Sequence, residues 1–387
     1  MRRAARCCRI ALASSLLVLH ASAFATNGDQ RVGLNATQAG MAGAVVAMPE
    51  DSATLFTNPA GLAGLGMESV RLDMGFSLLN PPRSVNGVDS DSNLSFLPTG
   101  AVAFRLSPRL VLGMGLAGVS GFGVDVADVF PNLAGNQAAV SQREVLQFSP
   151  ALGYQFTDRL ALGASLNIYN QSLTLNSPQF SLPQNRQFGI GVTLGATFRA
   201  TPDWRLGLAY SSKQDASAHE FNTAEGQVGF DLDGAASLAV GAAYLGVQGL
   251  VVEADVKRIY FNSVRDRVSF SRPAGYSGAV PAQVTFGWKD QTVYAIGLRK
   301  RMGPATTLRL GLNHGASPIG AAVVDTNLGS VAIVETHLGV GVTRKLTENL
   351  SGNFAYSHGF ENSLTSPAGN RISLEQHWLH FQVTYQL

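Results

Sequence analysis

Several short runs in this chain have residue types that could do chemistry, and most fail on their setting. Gly113-Met114-Gly115-Leu116-Ala117-Gly118 spells the dinucleotide fingerprint. That motif needs a following helix, whose N-terminus holds the pyrophosphate. Val119-Ser120-Gly121-Phe122-Gly123 comes next and will not form one. Gly118-Val119-Ser120 opens like a nucleophile elbow, but Phe122 stands where the motif requires glycine. His219, His314, His358, His377 and His380 are too scattered to identify a base for a serine nucleophile. His377 and His380 are three residues apart, so on a strand they face opposite ways and cannot share a metal. Asp89-Ser90-Asp91-Ser92-Asn93 has calcium-loop spacing without the glycine or the distal glutamate, and reads as a solvated outer loop. Glu253, Asp255 and Lys257 share one face of a strand, with Arg205, Arg299 and Arg309 as candidates for the same interior. One reading is a charge network stiffening that interior, since unpaired buried charges are costly. The other is that one cation holds a substrate carboxylate. No catalytic site, metal or cofactor is expected.

The elements that would carry these residues are strands. Leu379, Phe381, Val383, Tyr385 and Leu387 alternate with His380, Gln382, Thr384 and Gln386. A period of two puts each set on its own face. The same pattern runs through Leu160 to Tyr169, Gly189 to Phe198, Trp204 to Ser211 and Leu308 to Asn313. Its second face is polar or glycine. Many runs exceed the roughly 5–6 residues of soluble strands, which disfavours a soluble sandwich. Short turns fall at Ser107-Pro108-Arg109, Thr157-Asp158-Arg159, Thr201-Pro202-Asp203, Gly246 to Gly249, Gly303-Pro304 and Thr347-Glu348-Asn349. Longer segments fall near 80–95, 120–141, 175–187, 213–226, 263–284, 316–330 and 359–373. Six turns and seven loops predict about fourteen strands, an even number that leaves both ends on the short-turn side. Ala235 to Val252 is apolar enough to suggest a helix, but Gly241, Gly246 and Gly249 favour a strand pair.

Composition agrees. Charged residues are 14% and glycines number 42, while mean hydropathy is only +0.11. Ordinary soluble domains carry about 25% charge. The profile is that of an all-β, transmembrane antiparallel barrel, in which alternation hides the apolar face. Arg2, Arg3, Arg6 and Arg9, an apolar Ile10 to Val18 and Ala23-Phe24-Ala25 form an export signal, with cleavage expected after Ala25. Cys7 and Cys8 leave with it, which excludes disulfides and Cys-ligated metals from the mature chain. Cleavage also leaves 24 basic residues against 26 acidic ones, a net charge of −2 that suggests no nucleic-acid partner. Residues 26–67 lack alternation and read as a compact plug, with 68–387 as the barrel. Asp51 caps a short helix from Ser52 to Thr57, and Asn58 before Pro59 ends it.

Gly33 to Gly43, Pro49 to Ala53 and Asn58-Pro59-Ala60-Gly61 resemble the N-terminal hatch of the FadL-like outer-membrane transporters of long-chain fatty acids and aromatic hydrocarbons. Gly121-Phe122-Gly123, Val252 to Val256, Trp288 to Arg299 and Leu308 to Asn313 extend the resemblance across the mature chain. It implies a hatch inside a fourteen-stranded barrel and passive uptake of a hydrophobic small molecule. Asn58, Pro59, Ala60 and Phe56 would form the gate. Release would be lateral, at a kinked third strand of about 109–121 bearing Gly113, Gly115, Gly118 and Gly121 and ending in Phe122 and Gly123. Those glycines could instead only relieve crowding. Outer-loop Phe96, Phe122, Phe130, Phe261, Phe270 and Tyr276 are candidates for a capture surface. Outer-membrane lipid and lipopolysaccharide would surround a monomer. The rival reading is a general porin or a structural barrel, and a plug of about 40 residues argues against it.

Overall fold

The computed structural model describes residues 27–126, 139–176, 181–278 and 280–387. The expected export signal, 1–25, and Phe130 lie outside the described residues. Fourteen barrel strands follow one another: β1 (Val70–Asn80), β2 (Ser95–Arg105), β3 (Leu110–Val126), β4 (Ala139–Gln155), β5 (Leu160–Asn176), β6 (Ser181–Arg199), β7 (Trp204–Ser211), β8 (Ser237–Val247), β9 (Leu250–Ile259), β10 (Gln291–Arg301), β11 (Thr306–His314), β12 (Thr336–Lys345), β13 (Leu350–Thr365) and β14 (Arg371–Gln386). Each pairs antiparallel with the next. The ring closes through β1 and β14, with Arg71 opposite Gln386 and Asn80 opposite His377. Among the described residues no helix is long and apolar enough to cross a membrane. Ala235 to Val252 is a strand pair, turning at Gly249 with φ +71°.

Alternation produces the wall. On β14, Leu379, Phe381, Val383 and Tyr385 point outward and are exposed, while His380, Gln382 and Thr384 are buried inside. Ile190, Val192 and Leu194 on β6 and Leu206 and Leu208 on β7 continue the outer surface. A belt this apolar is stable only against lipid. Four hairpins use one device. The side-chain oxygens of Ser107, Thr157, Thr201 and Thr347 each accept the backbone N–H three residues on, at 3.0–3.1 Å. A hydroxyl that closes its own turn explains why Ser or Thr opens these hairpins.

The outer end departs from the sequence expectation. β3 runs to Val126, past Gly121-Phe122-Gly123, and β13 runs to Thr365 through residues expected to be loop. Above the wall, His219–Thr223, Gly226–Phe230, Arg267–Ser271 and Gln283–Thr285 form a small second sheet. Phe261, Trp288, Ile319 and Ile333 pack with Val124 and Val126 into an apolar cap. The Trp288 indole N–H donates to Asn327 Oδ1 at 2.7 Å, as a buried indole requires. Among the described residues the expected aromatics therefore do not form one exposed capture surface. Phe122 and Phe261 are buried, Phe270 packs on Phe230, and Phe96 stacks on Phe76 on the lipid side of β2. Apolar loop residues cluster with one another because that removes them from water.

Candidate functional site

The chain before β1 fills the bore. Residues 27–31 run along the inner side of β3. Gly121 N–H donates to Asp29 O at 3.0 Å, Arg31 N–H to Val119 O at 3.4 Å, and Gln30 bridges Ser120. Here β3 is irregular: its pairing with β4 shifts register between Gly118 and Ser120, leaving Val119 as an extra residue. Such a bulge interrupts the ladder. The Arg31 guanidinium donates to the freed Gly118 carbonyl at 2.9 Å. Asp29 is held by Arg143 at 2.9 Å, entirely within the interior.

A helix of five residues follows, Ala36–Gly40, capped by Asn35, whose Oδ1 accepts from Gln38 N–H at 3.1 Å. Four successive backbone N–H groups of residues 45–48 then point at β9. Asp255 Oδ2 accepts from Val45 and Val46 at 2.8 and 3.0 Å, and Glu253 Oε1 accepts from Ala47 and Met48 at 2.6 and 3.1 Å. Two carboxyl groups thereby satisfy four otherwise orphaned donors, as buried backbone N–H groups require. Glu50 reaches across to Arg299 at 3.0 Å and to Arg309 at 2.5 Å. Burial alone would raise its pKa, but the attraction of Arg309 and Arg299 prevails and holds it down to about 2. Asp51 caps a 3-10 turn, Ser52–Phe56, by accepting from Ala53 N–H at 3.0 Å. Burial, helped by the neighbouring Asp73, pushes its carboxyl up to about 6.

Asn58 caps the next turn, Pro59–Gly64. Its Nδ2 donates to Val46 O at 2.7 Å and to Ala196 O on β6 at 3.2 Å. One side chain thus ties the turn both to the segment that Asp255 and Glu253 hold and to the wall. Proline fits at the first turn position, where its missing N–H costs nothing.

The wall facing this segment is bare backbone. Gly153 stands opposite Gly163, and Gly163 opposite Gly195. Across the bore Gly297, Gly311 and Gly339 form a second row in register. A Cβ on Gly163 would overlap Ala60 N, on Gly195 Asn58 Oδ1, and on Gly339 Ala39 O. Gly115 lies under the Phe56 ring and Gly113 under Leu55 and Leu62. The plug is seated where the wall has no side chains, because only glycine allows so close an approach. Above it, two adjoining cavities of about 110 and 120 Å³ share Arg31, Leu34, Phe56, Thr57, Ser211 and Lys257.

The structure places the sequence candidates as follows. Phe56, Asn58, Pro59 and Ala60 are together and buried, against glycines of β3, β5 and β6. Gly113 and Gly115 serve the plug, whereas Gly118 and Gly121 meet residues 29–31 at the bulge. Glu253 bonds Asp255, and Arg299 and Arg309 share Glu50, but with Lys257 these charges do not close one network among themselves. Each turns to the plug instead, Lys257 through Gln30 Oε1 at 2.8 Å. His377 is part-exposed on the outer side and His380 is buried in the interior. Sequence reasoning missed Glu50 and Asp51 as anchors. The available signal was that they are the only charged residues between Val32 and Met67.

A closed, exported-type barrel with a plug wedged inside it defines an outer-membrane transport protein. The family described as outer membrane protein transport protein (OMPP1/FadL/TodX) matches residues 17–386, and the chain belongs to it. No curated protein matches the sequence. Among solved structures, the Pseudomonas putida toluene transporter TodX is similar with a TM-score of 0.75 at 21% identity, over 94% of this chain and 100% of that one. The Ralstonia pickettii toluene transporter TbuX is similar with a TM-score of 0.74 at 20% identity, over 92% and 99%. A Pseudomonas aeruginosa FadL homologue gives 0.71 at 17% identity, over 93% and 99%. At these identities the likeness is one of fold. By family, the protein is an outer-membrane transporter of hydrophobic compounds and not an enzyme.

Proposed function

We propose that the barrel takes up a hydrophobic compound about the size of one aromatic ring, passively, and releases it sideways through the wall at the bulge of β3. The observation that carries this reading is the coincidence at Val119: the ladder of β3 and β4 is interrupted there, and residues 29–31 cover the interruption from inside. Moving that segment would open the wall without breaking a complete strand pair. The adjoining cavities of about 110 and 120 Å³, with Arg31 and Lys257 lining both beside Leu34 and Phe56, approach the roughly 150 Å³ of an apolar cavity that holds benzene. The toluene transporters among similar structures carry compounds of that size by name. Phe56 lines both cavities as the floor on which the compound rests before release, and Asn58, Pro59 and Ala60 seat that floor against the wall.

Gln30 and Ser120 are bridge partners, and the sequence has no cysteine beyond position 8. A Gln30→Cys/Ser120→Cys pair therefore tests the path cleanly. In the oxidised protein, toluene uptake should fall at least ten-fold and return with reductant. Unchanged uptake when oxidised sinks lateral release at β3, and rapid flux of small sugars through the wild type makes the protein a porin.

A further inference from the structure

On the outer wall, away from hatch and bore, β13 and β14 bring two imidazoles to one carboxylate. His358 and His377 are cross-strand partners, and Glu375 precedes His377 on the same face. Glu375 Oε1 lies 3.4 Å from His377 Nε2 and 3.8 Å from His358 Nε2. The ligand atoms of all three lie within 4.8 Å of one another, the one such group of three or more among the described residues. The side chains are part-buried, at 20%, 34% and 38% exposure for His358, Glu375 and His377. We propose that His358, Glu375 and His377 bind a divalent transition metal, zinc being the best match.

The ligand types decide the metal. Imidazole suits zinc, copper and nickel, whereas calcium and magnesium want oxygen. Tetrahedral zinc holds nitrogen and oxygen ligands at about 2.0–2.1 Å, which places neighbouring ligand atoms roughly 3.3 Å apart. The His377–Glu375 separation, 3.4 Å, is near that value, and the His358–Glu375 one, 3.8 Å, closes to it by about half an ångström. Tyr356 Oη lies 2.9 Å from His377 Nδ1, the partner on the far ring nitrogen that metal-binding histidines use to fix their orientation. Two imidazoles and a carboxylate leave a fourth position open, facing away from the barrel.

Placement agrees with the chemistry. Charge on the lipid face costs about 2–4 kcal/mol at mid-membrane and little near the interface. Outward residues from Tyr385 to Leu379 are apolar, and Glu375 is the first acid above them. At about 3.4 Å per residue and a tilt of about 40°, β14 climbs roughly 26 Å from Tyr385 to Glu375, the height of the apolar band. The site stands at the outer headgroup level, beside a register shift between Gly359 and Asn362. A bound ion would fasten β13 to β14 where the ladder is broken.

The test uses the mature protein in detergent, stripped with EDTA and titrated with cobalt(II) and zinc chlorides. Cobalt should give the intense visible bands of four-coordinate geometry, saturating at one equivalent and displaced by zinc. Glu375→Gln and His377→Ala should each weaken binding at least ten-fold. Tyr356→Phe, which keeps all three ligands, should weaken it by about ten-fold. His314→Ala, removing an exposed histidine outside the cluster, should change nothing. Absence of a saturable four-coordinate spectrum in the wild type overturns the proposal even if a variant fails to assemble. So does equal affinity in the His358→Ala/His377→Ala double variant.

Discussion

The hatch meets two unlike walls. Toward β9, β10 and β11 it is held by buried polar bonds: Asp255 and Glu253 grip its backbone, and Glu50 is gripped by Arg299 and Arg309. Toward β2 and β3 the turns at 52–64 are held mainly by fit, Leu55, Phe56 and Leu62 packing on Ala101, Ala103 and Val111 over glycines of β3, while residues 29–31 keep polar bonds to β3 and to Arg143. Charge-assisted bonds are strong and directional, and a buried carboxylate stripped of its donors is costly. Apolar contacts are non-directional and tolerate sliding. The polar side is thus a fixed mount and the apolar side can yield. The yielding turns adjoin the bulge, whose cover at residues 29–31 must break its own polar bonds to move.

This contrast can be broken in order of expected effect. A Glu253→Ala/Asp255→Ala variant orphans four buried N–H groups, at about 1–3 kcal/mol for each unsatisfied group. It should unseat the whole hatch, seen as small-sugar leakage through liposomes and a large fall in thermal midpoint. Leu62→Ala should cost about 2–5 kcal/mol, yet loosen only the apolar side. Toluene uptake should then rise or hold while sugars stay excluded, and leakage equal to that of the double variant would erase the distinction. Acid should act through the mount. The folded pKa of Glu50, about 2, lies below its ordinary value of 4.5, so its contribution is complete above pH 4.5 and lost as pH falls toward 2. Wild-type leakage should therefore climb across that window relative to Glu50→Gln, which is leaky throughout. Ser165→Ala, which removes a 2.6 Å bond from β5 to Leu55 O, should shift the midpoint least, by about 1 kcal/mol.

Much of the wall was legible in the sequence, because lipid on one side forces a strict period of two. Hairpins were legible because Ser107, Thr157, Thr201 and Thr347 close their own turns. Asp51 could be read as a cap for the same reason, its partner being two residues away, whereas Asn58 was read only as a helix end and its capping of the next turn was missed. The partners of Glu253 and Asp255 could not be read, since residues 45–48 are some 205 positions distant and offer only backbone. The outer aromatics were misjudged because alternation stops at the membrane, and loop burial depends on which loops meet. The glycine seat was half legible. Gly153, Gly163 and Gly195 share the inward parity of their strands, but only their register shows that they form one surface.

That seat has a consequence for how such a carrier can change over generations. A patch made of naked main chain offers nothing to vary, since any replacement collides with what rests on it. Altered cargo preference must then be written higher up, in the side chains around the two chambers and in the folded lid of loops, while the floor beneath stays the same.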